Sequence, residues 1–258
     1  MRNMKKYLGL ASLLAAAAIS GCTKNAVQDI TTAPPASRVK FFNFGVGTPS
    51  VNFYANDTKM TAIVSTTGAE STLGVAQGGA GSGGFYDGIT PGQYTLSGKI
   101  SAAVDKDLPI STVATTIVDG KFYSYYISGI YNTTAKTAEA FVVEDPLPPV
   151  DYTVAYVRFV NAISNSSPMV LSAKNTTTSV VVPLGAAVAY KNAGAFTAIP
   201  GGVYDISTRV AGATTDAITR TGVSFSPGIV YTIGARGDIT VTGTTSANRP
   251  ILDNTANR

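Results

Sequence analysis

The sequence predicts an all-β fold built as two tandem β-sandwich domains, and three observations carry that expectation. Apolar and polar residues alternate over short segments, as at Val51, Phe53 and Ala55 against Asn52, Tyr54 and Asn56. A period of two suits a strand with one buried and one solvated face. Outside the first 21 residues, no window keeps apolar residues at helical spacing between caps. Two halves of the chain also repeat each other on either side of a proline-rich break.

That break is Glu144-Asp145-Pro146-Leu147-Pro148-Pro149-Val150. Consecutive prolines favour a stiff extended chain and forbid a helix or a central strand. The polar stretch from Thr23 to Ser37 ends in Ala33-Pro34-Pro35-Ala36 and reads as an extended tether. The expected organisation is a cleaved signal peptide at 1–21, a disordered tether at 22–37 and a first sandwich at 38–145. A linker at 146–151 and a second sandwich at 152–258 complete it.

Four blocks carry the repeat. Val39-Lys40-Phe41-Phe42-Asn43 matches Val157-Arg158-Phe159-Val160-Asn161, and Pro49-Ser50-Val51 with Asn56 matches Pro168-Met169-Val170 with Asn175. Pro91-Gly92-Gln93-Tyr94 answers Pro200-Gly201-Gly202-Val203-Tyr204 with one insertion. Gly120-Lys121-Phe122-Tyr123-Ser124 matches Gly228-Ile229-Val230-Tyr231-Thr232, with Gly129 and Gly237 following in register. The Pro-Gly pairs predict type II turns, each feeding a strand that begins near its tyrosine. Segments 122–131 and 176–182 are dense in aromatic or β-branched residues and read as strands.

These blocks resemble the bacterial family catalogued as domain of unknown function 4397, whose members are often exported and often carry the domain in tandem. The resemblance covers most of the chain from Arg38 onward. In the second half Ser172 and Ala173 stand where the first half has Phe53 and Tyr54, a weaker match. The resemblance implies an exported β-sandwich lipoprotein and supplies no activity and no site residues; the expected sandwiches are immunoglobulin-like or transthyretin-like.

The N-terminus opens on Arg2, Lys5 and Lys6, runs uncharged from Tyr7 to Ile19, and closes on Ser20 and Gly21 before Cys22. This is the pattern of a secretory signal, whose apolar run falls short of the roughly 20 residues that span a bilayer. Ile19-Ser20-Gly21-Cys22 resembles a lipobox, so Cys22 is expected to be lipidated and to become the membrane anchor. Cys22 is the only cysteine, which rules out internal disulfides and cysteine-ligated metals. Thr23-Lys24-Asn25 lacks an acidic residue after the cysteine, which points toward the outer membrane.

Three of the 19 Lys and Arg fall in the expected signal, leaving 16 bases against 15 acids. A balance of one charge is not the footprint of a nucleic-acid binder.

The absence of histidine removes the Ser-His-Asp and Cys-His machineries and the common zinc sites. Ser37-Arg38-Val39-Lys40 has the spacing of a Ser-Lys pair, but residues three apart on a strand face opposite ways, and a solvated strand edge is expected. Asp105-Lys106-Asp107 offers two carboxylates where calcium takes about six to eight oxygens, so it reads as a polar hairpin tip. Glu144-Asp145 reads likewise as a solvated pair. The glycine run from Gly78 to Gly84 lacks the Gly-Lys-Ser/Thr ending of a phosphate cradle and reads as a flexible loop. Tyr123, Tyr125, Tyr126 and Tyr131 have faces that suit a sugar, yet core packing is the plainer reading.

The sequence thus leads us to expect a lipid-anchored, non-catalytic cell-envelope protein that meets the membrane through the lipid on Cys22. It should bind a glycan, a peptide or a partner protein, without catalytic residues, cofactor, metal or nucleic acid. The alternatives are a structural spacer of an envelope complex and, behind it, a carboxylate-dependent hydrolase.

Overall fold

The computed structural model describes residues 36–61 and 73–258, in which every regular element is a strand apart from one 3-10 turn at Gly81–Gly84. The expected signal, Cys22 and the tether as far as residue 35 lie outside the described residues. The last tether residue is described, and Ser37 proves fully buried, its carbonyl accepting from Ile89 N at 3.2 Å.

The first half contributes β1 (Arg38–Asn43), β2 (Val51–Ala55), β3 (Thr58–Lys59), β4 (Asp87–Gly88), β5 (Gly92–Ile100), β6 (Pro109–Ile117), β7 (Phe122–Asn132) and β8 (Thr137–Glu144). The second half contributes β9 (Val154–Asn161), β10 (Met169–Asn175), β11 (Val181–Pro183), β12 (Asn192–Ala193), β13 (Thr197–Pro200), β14 (Gly202–Val210), β15 (Ile218–Phe225), β16 (Val230–Arg236) and β17 (Ile251–Ala256). No strand runs between Asp145 and Thr153, where the proline-rich segment lies.

Each half forms two sheets. Their orders are β4-β1-β7-β8 and β3-β2-β5-β6 in the first half. In the second they are β12-β9-β16-β17, with β13 also on β9, and β11-β10-β14-β15. Between each pair of sheets lies an apolar core, so the fold is all-β and built of sandwiches. In the first, Phe41 stacks on Phe53 with centroids 5.0 Å apart, and Tyr125 sits edge-on to Phe53 while donating to Ser111 Oγ at 2.9 Å. In the second, Phe159, Leu171, Ile206, Phe225 and Ile233 are buried together.

The register shows how closely the halves correspond. β1 runs parallel to β7 with Val39 opposite Tyr123 and Lys40 opposite Ser124. β9 runs parallel to β16 with Val157 opposite Tyr231 and Arg158 opposite Thr232. At the corner where the chain crosses between sheets, Tyr94 Oη donates to the Thr90 carbonyl at 2.9 Å and Tyr204 Oη to the Pro200 carbonyl at 2.8 Å. Val118 N donates to Tyr123 Oη and Ser226 N to Tyr231 Oη, again at one spacing.

Several sequence expectations are corrected by this register. Val51 and Met169 are the equivalent residues, since each bridges the strand's extra partner, Val75 or Val188, at the same place. The second block is therefore shifted by one from its sequence match. A one-residue slip exchanges the two faces of a strand, so Phe53 corresponds to the buried Leu171 rather than to Ser172. The insertion at the Pro-Gly pairs also disappears, because Thr90, not Pro91, occupies the place of Pro200.

The Pro-Gly pairs do not form type II turns either. Gly92 has φ 154°, Gly201 is not among the positive-φ residues, and each pair makes a single bend from one sheet into the other. Residues 176–180 are a turn rather than a strand, because Asn175 Oδ1 accepts from Thr177 N and Thr178 N at 2.9 Å each. Strand β2 has both faces covered. Tyr54 is 7% exposed, with the Lys99 and Lys59 ammonium groups 4.4 and 5.6 Å from its ring centre.

Candidate functional site

Strand parity places a second set of side chains on the outward face of the β4-β1-β7-β8 sheet, away from its own core. These are Lys40 and Phe42 on β1, Ser124 and Tyr126 on β7, and Phe141 and Val143 on β8. A solvent-facing sheet would carry polar groups here. Instead Phe42, Phe44, Tyr126 and Phe141 form a third core together with Val160 and Ala162 of the second half. The outer sheet of each half packs on that of the other.

The apolar part of this contact is one-sided in size. Tyr126 stacks on Phe42 at 4.6 Å and on Phe141 at 5.1 Å. Across from these rings stand Val160, Ala162 and Gly234, the second-half equivalents of Phe42, Phe44 and Tyr126. A Cβ on Gly234 would lie 2.7 Å from Phe44 Cε2, so the second half leaves the room that the first half's rings fill.

Beside this core lies a polar cluster with the same two-fold relation. In one hook Arg158 of the second half reaches the end of β8, where Nη1 donates to the Glu144 carbonyl at 3.0 Å and Nη2 pairs with Asp145 Oδ1. In the other, Lys40 of the first half reaches the end of β17, where Nζ donates to the Ala256 carbonyl at 2.5 Å and to Asn257 Oδ1 at 3.2 Å. Glu144 pairs with Tyr123 and Ala256 with Tyr231, so these receiving ends are equivalent. An aromatic ring covers each cation: Tyr86 lies 4.3 Å from Lys40 Nζ and Phe196 lies 4.7 Å from Arg158 Cζ.

Hydrogen bonds complete the cluster. Asp145 Oδ2 accepts from Tyr86 Oη at 2.6 Å and from Ser124 Oγ at 2.7 Å. Thr232 Oγ1 accepts from Arg158 Nε at 3.0 Å and from Asn257 Nδ2 at 2.7 Å. Further out, Gln77 reaches Asn248 Oδ1 at 2.8 Å, while Tyr190 Oη lies 2.8 Å from Ser128 Oγ. Each half therefore lends a loop to the other.

The two hooks differ in charge, because the first half ends on a carboxylate and the second on an amide. Two buried cations share one buried anion. Burial is the largest cause that pushes the Lys40 ammonium down to about 8; the Asp145 carboxylate opposes that push and the Arg158 guanidinium adds to it. Burial, with the Asp145 charge behind it, also pushes the Tyr86 phenol well above its usual value.

This cluster overturns two expectations. Glu144-Asp145 is not a solvated pair: Asp145 is 1% exposed. Its N–H bonds the Phe122 carbonyl at 2.7 Å, which prolongs β8 by one residue and turns the side chain to the same face as Phe141 and Val143. Lys40 is not on a solvated edge either, because β1 lies between β4 and β7 and Lys40 is 1% exposed. One signal was present in the sequence: a cation at the same position of both opening strands, with apolar residues on each side.

The other candidates fall elsewhere. Asp105 and Asp107 do form a hairpin tip between β5 and β6, where Lys136 pairs with Asp105 at 2.6 Å. The glycine run is not loose: Gly78 N donates to the Asn43 carbonyl at 2.6 Å, Asn43 N to the Gly79 carbonyl at 2.9 Å, and Gly81 is buried against Phe41 and Thr61. Tyr123, Tyr125 and Tyr126 are buried, the first two in the sandwich core and Tyr126 between the halves. Among the described residues no group of three His, Cys, Asp or Glu is placed to hold a metal ion.

A groove of about 380 Å³ opens along the seam. Phe42, Phe44, Gly84 and Phe85 line it from the first half, and Asp253, Asn254 and Thr255 of β17 from the second. Phe85, at 76% exposed, stands at its edge on the glycine-rich turn.

Together these features define a tandem β-sandwich protein whose most concentrated chemistry lies at the seam between its halves. No family model matches the chain, and no curated protein matches it.

Proposed function

We propose that this chain is a lipid-anchored, non-catalytic cell-envelope protein, tethered through Cys22, whose two sandwiches act as one recognition unit for a glycan, a peptide or a partner protein. The observation that carries this reading is the seam groove, lined by both halves, with an exposed aromatic ring at its edge. Concave sites with apolar walls and a few polar groups are where proteins take ligands, and Phe85 and the β17 residues supply both. The residue types that a hydrolase would use support the same reading. Asp145 and Arg158 pair with each other across the seam, Lys40 is held by the Ala256 carbonyl and Asn257, and Glu144 is exposed and paired with Lys121 at 2.8 Å. The resemblance of the paired blocks to domain of unknown function 4397 is part of this proposal.

The groove is tested by glycan and peptide arrays probed with the purified chain and with Phe85→Ala. Binding that falls at least tenfold in the variant supports the reading. Array silence together with co-purification of a stable envelope partner would favour the spacer.

The anchor has its own test. Cells fed an alkyne fatty acid should label the wild-type chain in the membrane fraction, whereas Cys22→Ser should lose both the label and the membrane location. Labelling that persists in Cys22→Ser contradicts the anchor.

A further inference from the structure

The two hooks of the seam are built alike, yet only one of them balances its charge. Arg158 faces the Asp145 carboxylate, whereas Lys40 faces the Ala256 carbonyl and the neutral Asn257 carboxamide. An ammonium ion buried among neutral acceptors is unfavourable; the Asp145 charge offsets part of that cost and the Arg158 guanidinium adds to it. The Lys40 amine's affinity for the proton, lowered to about 8, leaves a reactive share of free amine at neutral pH. A desolvated lysine amine is a nucleophile.

An electrophile stands beside it. Lys40 Nζ lies 3.2 Å from Asn257 Oδ1, and the two residues are 1% and 8% exposed, which keeps water from competing. The carboxamide is held in place by its own donation to Thr232 Oγ1 at 2.7 Å, and the Tyr86 ring covers the amine at 4.3 Å.

We propose that Lys40 and Asn257 join through an intramolecular isopeptide bond. The Lys40 nitrogen attacks Asn257 Cγ and a new C–N bond forms. The bond from Cγ to Nδ2 breaks, the amine proton passes to the departing nitrogen, and ammonia leaves. Atoms and electrons balance without oxidant, metal or cofactor. The other hook cannot react, because a guanidinium stays protonated and is no nucleophile.

The bond would tie the first strand to the residue that follows the last one, 217 positions on. Load arriving at the tether end of β1 would then pass to the end of β17 without opening the sandwiches. In a chain whose only cysteine is expected to carry lipid, no disulfide can do this.

Peptide mapping of the purified full chain by mass spectrometry tests the proposal. The expected result is a joined fragment carrying Lys40 and Asn257, lighter than the sum of its two peptides by about 17 Da, the mass of ammonia. Lys40→Arg keeps a cation in the geometry that Arg158 already uses, so the chain should fold, by circular dichroism, and yield no joined fragment. Asn257→Ala should lose the fragment as well. Recovery of both peptides from the wild-type chain, separate and at full mass, would overturn the proposal, as would a joined fragment in either variant.

Discussion

Replacing Asp145 by alanine should destabilise the chain by about 3–5 kcal/mol, the cost of removing one partner from a buried ion pair. The loss is large because the buried Arg158 guanidinium would be left with only the Glu144 carbonyl and the Thr232 hydroxyl as partners. Tyr86 Oη and Ser124 Oγ would lose their acceptor as well. Urea unfolding should show the drop as a lower midpoint at unchanged slope. Removing both charges together, as Asp145→Leu with Arg158→Met, should recover part of the loss, since apolar residues of similar volume replace a buried pair at little net cost while Tyr86 and Ser124 still lack their acceptor. A double variant no more stable than Asp145→Ala would show that the pair does more than neutralise itself.

Truncating Tyr126 to alanine should cost about 3–5 kcal/mol, the range for deleting a large buried ring. The ring is 1% exposed and packs on Phe42, Phe44 and Phe141, and the facing positions are Val160, Ala162 and Gly234. Glycine has no side chain and alanine only a methyl group with which to close the gap, so a cavity would persist. The loss should appear by urea unfolding of Tyr126→Ala beside the wild-type chain. A loss below about 1 kcal/mol would mean that the halves can slide together and that the third core is not close-packed.

Much of the fold was legible because strands leave local marks. The absence of helical spacing and the paired blocks lead to sandwiches without reference to any long-range contact, although the period-two pattern at 51–55 marks a strand buried on both faces rather than one. The seam was harder to read. Lys40 and Arg158 were visible as partners in the repeat, but nothing local shows that the far face of β1 is covered by another sheet rather than by water. Asp145 lay among prolines, where a charged residue is normally solvated. Its burial depends on one further backbone hydrogen bond, to Phe122, that composition does not encode. The register of β2 and β10 was misread for a related reason. Pro49 and Pro168 sit in loops before their strands, and loops tolerate a one-residue offset that a paired strand cannot.

Joined by a reciprocal seam, the two sandwiches should behave as one unit. Differential scanning calorimetry of the purified chain tests it most directly, because coupled halves unfold in one cooperative step. The structure predicts a single transition whose calorimetric and van't Hoff enthalpies agree. Two resolved transitions, or a van't Hoff enthalpy about half the calorimetric one, would show that the halves unfold independently and would contradict it.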